Sequence, residues 1–429
     1  MRVLVVGSGA REHALCWRLV SEGAHVIAAP GNPLMRDVAE VRAEVALGDL
    51  AAIVALALAE RVDLVVVGPE APLVAGLVDR LSAAGIPSFG PTAAAARIEA
   101  SKSYAREICG AAGVPMAQGS AFESVAPAVD YAERLGAPVM VKADGLAAGK
   151  GVVICANIRE AELTIRDQIE GGRFGAGGRR VVVEQWLAGV EASVIAICDG
   201  RDAVILPAAR DHKRLGDGDS GPNTGGMGAY SPIPELDDAA MLRLREEIFL
   251  PVLREMERSG TPFRGALFAG LMLTAYGPRV LEFNARLGDP ETQAILPRLA
   301  EPLTPLLVAS AAASLAEHAA EGPILATTSD AAVALTLAAA GYPDDPRPND
   351  PIKGIDEARA QEALVFGAGV RMNEDGVPVT AGGRVLTIVG RGSDLASAAD
   401  VAYEAADRIG FRGKQTRRDI GRALVGATA

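Results

Sequence analysis

Apolar and polar positions alternate most sharply late in the chain, over Val280–Glu291. With a strand's period of two, Leu281, Phe283 and Ala285 fall on one face and Glu282, Asn284 and Arg286 on the other. The first face predicts core. The second lines up a carboxylate, an amide and a guanidinium, residue types apt for a metal and an anion. The apolar run Ala266–Leu273 precedes it, and Tyr276-Gly277-Pro278 between them reads as a turn, so the pair is predicted to be a hairpin. Alone, such a stretch is an edge strand with a solvated face. The other motifs decide the matter.

At the start, Arg2–Val6 is a buried-type strand that runs through Gly7-Ser8-Gly9-Ala10-Arg11-Glu12-His13 into a helical pattern (Ala14, Leu15, Leu19, Val20). Strand, glycine turn and helix N-terminus make an anion site. The dinucleotide fingerprint fails, because Glu12 holds its third glycine position. His25–Ala29 runs into Pro30-Gly31-Asn32, where an NAD protein would carry a ribose-binding acid. Asp63–Glu70 and Ile86–Thr92 repeat the strand-then-loop scheme. The alternation predicts a doubly wound parallel sheet to about residue 100, with its binding edge at the loops after the strands. Each glycine loop alone is a tight turn; several at one edge favour a small-anion site.

Ser101-Lys102-Ser103 starts a helix that Gly113-Val114-Pro115 ends. Over Pro138–Ile154 two strands flank a Gly/Ala loop, with Lys142 on the first strand and Lys150 in the loop. Such a loop can close over a triphosphate through backbone N–H groups and two ammonium groups. It is not a Walker A loop, since no Ser or Thr follows Lys150. Arg180–Ser193 is a strand leaving into a connector with Glu184 and Glu191, either a hinge for an adenine edge and ribose hydroxyls or simply exposed glutamates. Arg210–Tyr230 is a long polar loop. Its Asp/Gly spacing is wrong for an EF-hand. Asp211 and Lys213 near Gly225-Gly226-Met227-Gly228 read as a substrate loop, and His212, with no nucleophile to pair with, as structural. Strands from Ser329, from Ala363 and from Gly383, and a helical pattern over 395–410, predict a small α+β domain. Tyr342-Pro343 and Arg417–Gly421 are its chemically suggestive spots, or packing.

Composition narrows the class. At 429 residues the chain should form roughly two to four domains. A net charge of −12 without a basic stripe argues against a nucleic-acid partner. The chain holds only six lysines, and four of them (Lys102, Lys142, Lys150 and Lys213) lie in the motifs above. An ammonium is a compact point charge, so lysine kept in an arginine-rich chain points to specific phosphate chemistry. Cys16, Cys109, Cys155 and Cys198 are far apart and read as reduced thiols of a cytoplasmic protein. Met1 leads directly into a strand, which predicts no signal peptide, and no apolar run is long enough for a membrane span.

Together these motifs resemble the glycinamide ribonucleotide synthetase family (phosphoribosylamine–glycine ligases), ATP-grasp enzymes of purine synthesis. The resemblance is carried by Gly7–Leu15, Gly68–Leu73, Lys142–Gly151, Asp211–Arg214, Gly221–Tyr230 and Glu282–Glu291, and spans essentially the whole chain. It implies an α/β and α+β multidomain fold. An N-terminal doubly wound substrate-binding domain (1–102) would precede an ATP-grasp core (103–119 and 191–327) with a mobile lid (120–190) and a small C-terminal α+β domain (328–429). It implies ATP contacts at Lys102, Lys142, Lys150, Glu184, the backbones of Gln185 and Leu187, and Glu191. Glu282 and Asn284 would be the ligands of Mg²⁺ or Mn²⁺. Glycine and 5-phosphoribosylamine would be met by Gly9, Asn32, Asp211, Lys213, Asn223, Thr224, Gly225, Arg286, Gly288 and Asp289. Lys150, Arg286 and Asp211 would carry the catalytic roles. The implied reaction passes through glycyl phosphate with no covalent enzyme nucleophile, in a cytoplasmic monomer without nucleic-acid or membrane partners. Ala10, Gln185, Gly367 and Val370 depart from the family pattern. A ligase for another acid or amine, and a non-catalytic nucleotide-binding regulator, are the competing expectations.

Overall fold

Val3, Leu4, Val5 and Val6 are all completely buried, because a parallel strand between two layers of helices must be apolar on both faces. The computed structural model describes residues 1–146, 151–171 and 179–422. β1 (Arg2–Gly7), β2 (His25–Pro30), β3 (Glu40–Val41), β4 (Leu64–Val67) and β5 (Ser88–Phe89) form a parallel sheet in the order β3-β2-β1-β4-β5. Val3 and Val5 pack toward the helix Ala10–Ser21, and Leu4 and Val6 toward the helix Leu50–Ala59. The expected doubly wound domain is present, with its glycine loops at one edge.

The lid is an antiparallel sheet of β6 (Gly119–Phe122), β7 (Val139–Ala143), β8 (Val152–Cys155) and β9 (Val181–Gln185), in the order β6-β9-β7-β8. The helices Val125–Leu135 and Ile158–Ile169 cover it and close a core of its own. β10 (Val190–Asp199) and β11 (Ala203–Ile205) return the chain to the centre.

The long polar loop is more ordered than its Asp/Gly composition predicts. It contains β12 (Arg210–Asp211), β13 (Arg214–Gly216), β14 (Ser220–Asn223) and β15 (Gly228–Ser231), with β13 and β14 paired as a hairpin. Strands of two to four residues, mostly polar or glycine, leave no apolar period to read.

β16 (Arg264–Thr274) and β17 (Gly277–Asn284) form the predicted hairpin and complete the central sheet β11-β10-β16-β17. One detail of the predicted alternation changes. Glu282 lies opposite Gly270 and Val280 opposite Leu271, so Leu281 is the extra residue of a bulge. Val280 therefore takes the core position assigned to Leu281, which is only half-buried, while Phe283 and Ala285 stay inside.

β18 (Ala331–Ala338), β19 (Leu364–Gly367), β20 (Val370–Met372), β21 (Pro378–Thr380) and β22 (Arg384–Gly392) supply the last unit. Its sheet runs β12-β15-β18-β22-β19, so strands from the polar loop are built into it. The expected division near residue 328 is thus crossed by backbone ladders. The helix Leu395–Arg408 covers this sheet.

One residue, Gly367, ties the last unit to the first through both of its backbone polar groups. The Gly367 N–H donates to His13 Nδ1 at 2.9 Å, and the Gly367 carbonyl accepts from Asn32 Nδ2 at 2.8 Å. Asn32 also donates to the Ser8 carbonyl and accepts from the Leu34 N–H, so the protein uses its whole amide. It was expected at the substrate; its side chain instead locks two loops together. A side chain at position 367 would begin 2.8 Å from Asn32 Oδ1, which accounts for the glycine there. Phe366 stacks edge-on against His13 and Trp17.

Burial, helped by Arg359, pushes His13 down to about 3, so it remains a neutral acceptor. The folded protein refuses a proton that the unfolded chain takes up near pH 6.5. Stability from this joint is full above about pH 6.5 and falls as pH drops toward 3, at up to about 1.4 kcal/mol per pH unit. Denaturant unfolding across that range should give a shallower pH slope for His13→Gln than for the native chain; equal slopes would exclude His13 as the source.

Candidate functional site

The polar face of β17 is the floor of the site. Burial raises the Glu282 carboxyl, but Lys213 and then Lys142, Lys102 and Arg286 outweigh it and hold the group below the ordinary glutamate range. These lysines arrive from different parts of the chain. Lys213 follows β12, and its Nζ lies 3.0 Å from Glu191 and 3.7 Å from Glu282. Lys142 stands on the lid strand β7. It donates to the Leu281 carbonyl at 3.1 Å, which the bulge presents, and pairs with Glu184 at 2.5 Å.

Lys102 opens the helix Lys102–Ala112, and burial lowers its ammonium pKa. Asp144, just past β7, caps the same helix through the Ser103 N–H at 2.6 Å. The lid loop and Lys102 are therefore fastened at one point. Lys150 lies outside the described residues.

Glu184 was expected to face a base from the hinge. It is buried and accepts from Arg106 at 2.9 Å as well as pairing with Lys142, so it orients that lysine. The Gln185 N–H is bonded to the Gln118 carbonyl, and Leu187 lies half-buried in the connector to β10. Glu191 starts β10 facing Lys213.

The second half of the site lies beyond Lys213. Burial raises Asp211 well above the ordinary aspartate range, and the charge of Glu291 adds to this. Asp211 Oδ1 has no hydrogen-bond partner, and Glu291 accepts from Ser193 Oγ at 2.9 Å. Two buried carboxyl groups in one electrostatic field call for a shared proton or a cation. A side chain at Gly226 would begin 2.9 Å from Asp211 Oδ1, and one at Gly288 would collide with Glu291. Thr224 Oγ1 donates to the Lys213 carbonyl at 2.8 Å, Asn223 reaches the Val152 carbonyl of the lid at 3.5 Å, and the Gly225 N–H donates to the Tyr342 hydroxyl at 2.9 Å.

Arg286 is held rather than free. It contacts Glu70 at 3.2 Å, Glu99 at 3.4 Å and Asn284 Oδ1 at 3.3 Å. Asp289 pairs with Arg384 at 2.9 Å. Ser8, Gly9, Asp289, Gly369, Arg384 and Thr387 line a cavity of about 250 Å³ between the first and last units. At the glycine loop, the Gly9 N–H donates to Glu12 Oε2 at 2.7 Å. That N–H at the helix N-terminus is thus met by the protein's own carboxylate. Side chains at Gly7, Gly9 or Gly68 would strike Glu12.

The sequence reading missed Glu99, Glu291, Arg384 and Arg106. Glu99 sits in an alanine-rich helix without a motif. Arg384, at the edge of an apolar strand, gave the only signal available: a cation entering a buried run. Among the described residues no cluster of three or more His, Cys, Asp or Glu could hold a metal alone. Glu282 and Asn284 are thus a partial oxygen set, fitting an ion that takes its remaining ligands from a nucleotide and water.

The chain matches the phosphoribosylglycinamide synthetase N domain over residues 1–99, the ATP-grasp (A) domain over 100–292 and the C domain over 332–423. It is 48% identical over 434 residues to phosphoribosylamine–glycine ligase of Streptomyces coelicolor, covering 100% of both chains. It is 46% identical over 427 residues to that of Caulobacter vibrioides, covering 99% of each. The crystal structure of phosphoribosylamine–glycine ligase from Thermotoga maritima superposes with a TM-score of 0.84 at 35% identity, covering 98% of this chain and 100% of that one. A Campylobacter jejuni biotin carboxylase shares the fold at 17% identity with a TM-score of 0.70, covering 97% of this chain and 92% of that one.

Lys142→Met leaves Glu184 with Arg106 alone and should cost at least about 1–3 kcal/mol in thermal or urea unfolding. The double variant Lys142→Met/Glu184→Met should recover part of that loss. Strictly additive losses would show that the two side chains are not coupled.

Proposed function

The chain belongs to the phosphoribosylglycinamide synthetase family, and we infer that it joins glycine to 5-phosphoribosylamine with ATP, giving glycinamide ribonucleotide, ADP and phosphate in purine biosynthesis. ATP-grasp enzymes use ATP and divalent metal ions. The observation that carries the site reading is Glu282, a carboxylate kept ionised by lysines from the lid, the central helix and the polar hairpin.

Glu282 and Asn284 would hold Mg²⁺, or Mn²⁺ with the same oxygen donors, which when bound would supply neutralisation of nucleotide charge. The chain's own residues do the rest. Lys142 and Lys102, with Lys150, oppose the phosphates. Gln185 and Leu187, through their backbones, and Glu191 would meet the base and ribose. A glycine carboxylate oxygen attacks the γ-phosphorus, forming glycyl phosphate and releasing ADP. The ribosylamine nitrogen then attacks the acyl carbon, phosphate leaves and the nitrogen loses a proton. Positioning and charge do this work, so no enzyme nucleophile is required.

Asp211 and Glu291 would form a recess for the glycine ammonium, with Gly226 and Gly288 set close against them. Asn223, Thr224 and Gly225 border that recess. Gly9, Asp289 and the cavity beside Arg384 would take the phosphoribosyl end. Arg286, fixed between Glu70 and Glu99, presents a set positive charge to the transferring group. Four buried, unpaired cysteines support a reducing, cytoplasmic setting, and we take the working unit to be a monomer. Among the described residues no helix is long and apolar enough to cross a membrane.

Purified protein should release ADP only when glycine and phosphoribosylamine are both present; equal release without glycine would refute the reading. Glu282→Ala should lower kcat by about 10²-fold or more, and retained turnover would remove it as a metal ligand. Asp211→Asn should raise the glycine KM by about ten-fold or more, one lost charged contact, with the ATP KM unchanged. An unaltered glycine KM would take Asp211 out of the recess.

A further inference from the structure

Arg417 lies near the end of the chain, yet its side chain is only 1% exposed. Its Nε and Nη2 grip both oxygens of Asp419 at 2.7 and 2.6 Å. Its Nη1 reaches Asp219 at 2.6 Å and the Arg214 carbonyl at 3.2 Å. Asp219 and Arg214 belong to the tip and the first strand of the β13–β14 hairpin. The same short segment makes further bonds to that tip: Asp419 accepts from the Gly218 N–H at 2.9 Å, and the Arg418 N–H donates to Asp217 at 2.7 Å.

The segment also reaches the hairpin's other end. A side chain at Gly228 would begin 2.7 Å from Ile420 Cδ1. Gln415 donates to the Tyr342 carbonyl at 3.1 Å, and the Tyr342 hydroxyl accepts the Gly225 N–H. Gln415–Ile420 thus fastens the hairpin at tip, base and return.

The hairpin needs this. Residues 217–222 are exposed, and β13 is only half-buried. A two-stranded hairpin without an apolar face is marginal by itself. Leu215 is its one apolar side chain packed on the last unit's core, so hydrophobic burial orders it weakly, whereas a buried, bidentate guanidinium with two carboxylates can do more. At its ends the hairpin carries Asp211, Lys213, Asn223 and Thr224.

We propose that Arg417, acting with Asp219 and Asp419, is a positioning residue for the glycine and ribosylamine side of the reaction. It fixes the hairpin so that Lys213 stands between Glu191 and Glu282. The proposal rests on the reading of that hairpin as substrate-binding. Lys102 and the lid loop are fastened separately, through Asp144, so the nucleotide side feels the clasp only through Lys213.

The test is steady-state ADP release by full-length Arg417→Met, Arg417→Lys and Asp219→Asn, with calorimetric binding of ADP and Mg²⁺. Arg417→Met should raise the glycine and ribosylamine KM by about ten- to a hundred-fold and weaken ADP with Mg²⁺ by a smaller factor, through Lys213 alone, since small misplacements act most on reacting groups. Arg417→Lys should restore part of the loss. Asp219→Asn alters an exposed partner and keeps the test open if Arg417→Met does not fold; it should move both KM values in the same direction. Unchanged KM values in the folded variants, even with a lowered melting temperature, would reduce Arg417 to packing and overturn the proposal. Lys213→Ala separates the two readings. If it too leaves the kinetics unchanged, the hairpin reading fails and the proposal with it. If it raises KM while the Arg417 and Asp219 variants do not, the clasp alone fails.

Discussion

Everything in the site depends on keeping a buried carboxylate charged. Glu282 sits on the central sheet, where desolvation favours its protonated form, and only nearby cations reverse that preference. Those cations cannot come from one element, because ammonium groups crowded on one strand would repel each other. The chain brings one from the lid, one from the helix behind the lid and one from the hairpin, so the floor is completed only when three folding units meet. Two of the three lysines are themselves oriented by an acid: Lys142 by Glu184 and Lys213 by Glu191.

The bulge in β17 is a small backbone adjustment with a large effect. The extra residue Leu281 leaves Val280 and Phe283 in the core while turning one carbonyl toward Lys142. A regular strand would present Glu282 and Asn284 but not that acceptor. The floor strand therefore helps to position the lid's lysine as well as offering oxygens for a metal.

Much of this was legible in the sequence where a period or a chemically costly residue marked it. The β16–β17 hairpin, the parallel sheet and the exceptional lysines all fall in that class. The failures have a common cause. The β12–β15 strands belong to a sheet through backbone bonds, and their side chains carry no apolar period. Glu99 and Arg384 act through partners distant in the chain, and an isolated charge in an alanine-rich helix or at a strand end looks like ordinary surface. Asn32 stood out at a loop edge, but sequence does not reveal that its amide hydrogens are already taken by Ser8 and Gly367.

Glu12 leaves a last consequence. A helix N-terminus attracts any phosphate, and this protein must admit one substrate with three phosphates and another with one. Had the first loop been bare, the nucleotide would have had two addresses, and molecules bound at the wrong one would have competed with the ribosylamine. The carboxylate folded under Gly7, Gly9 and Gly68 removes that ambiguity. Glu12 is itself paired with the buried Arg11 at 2.6 Å, so it takes up the loop's amide without leaving an uncompensated charge there.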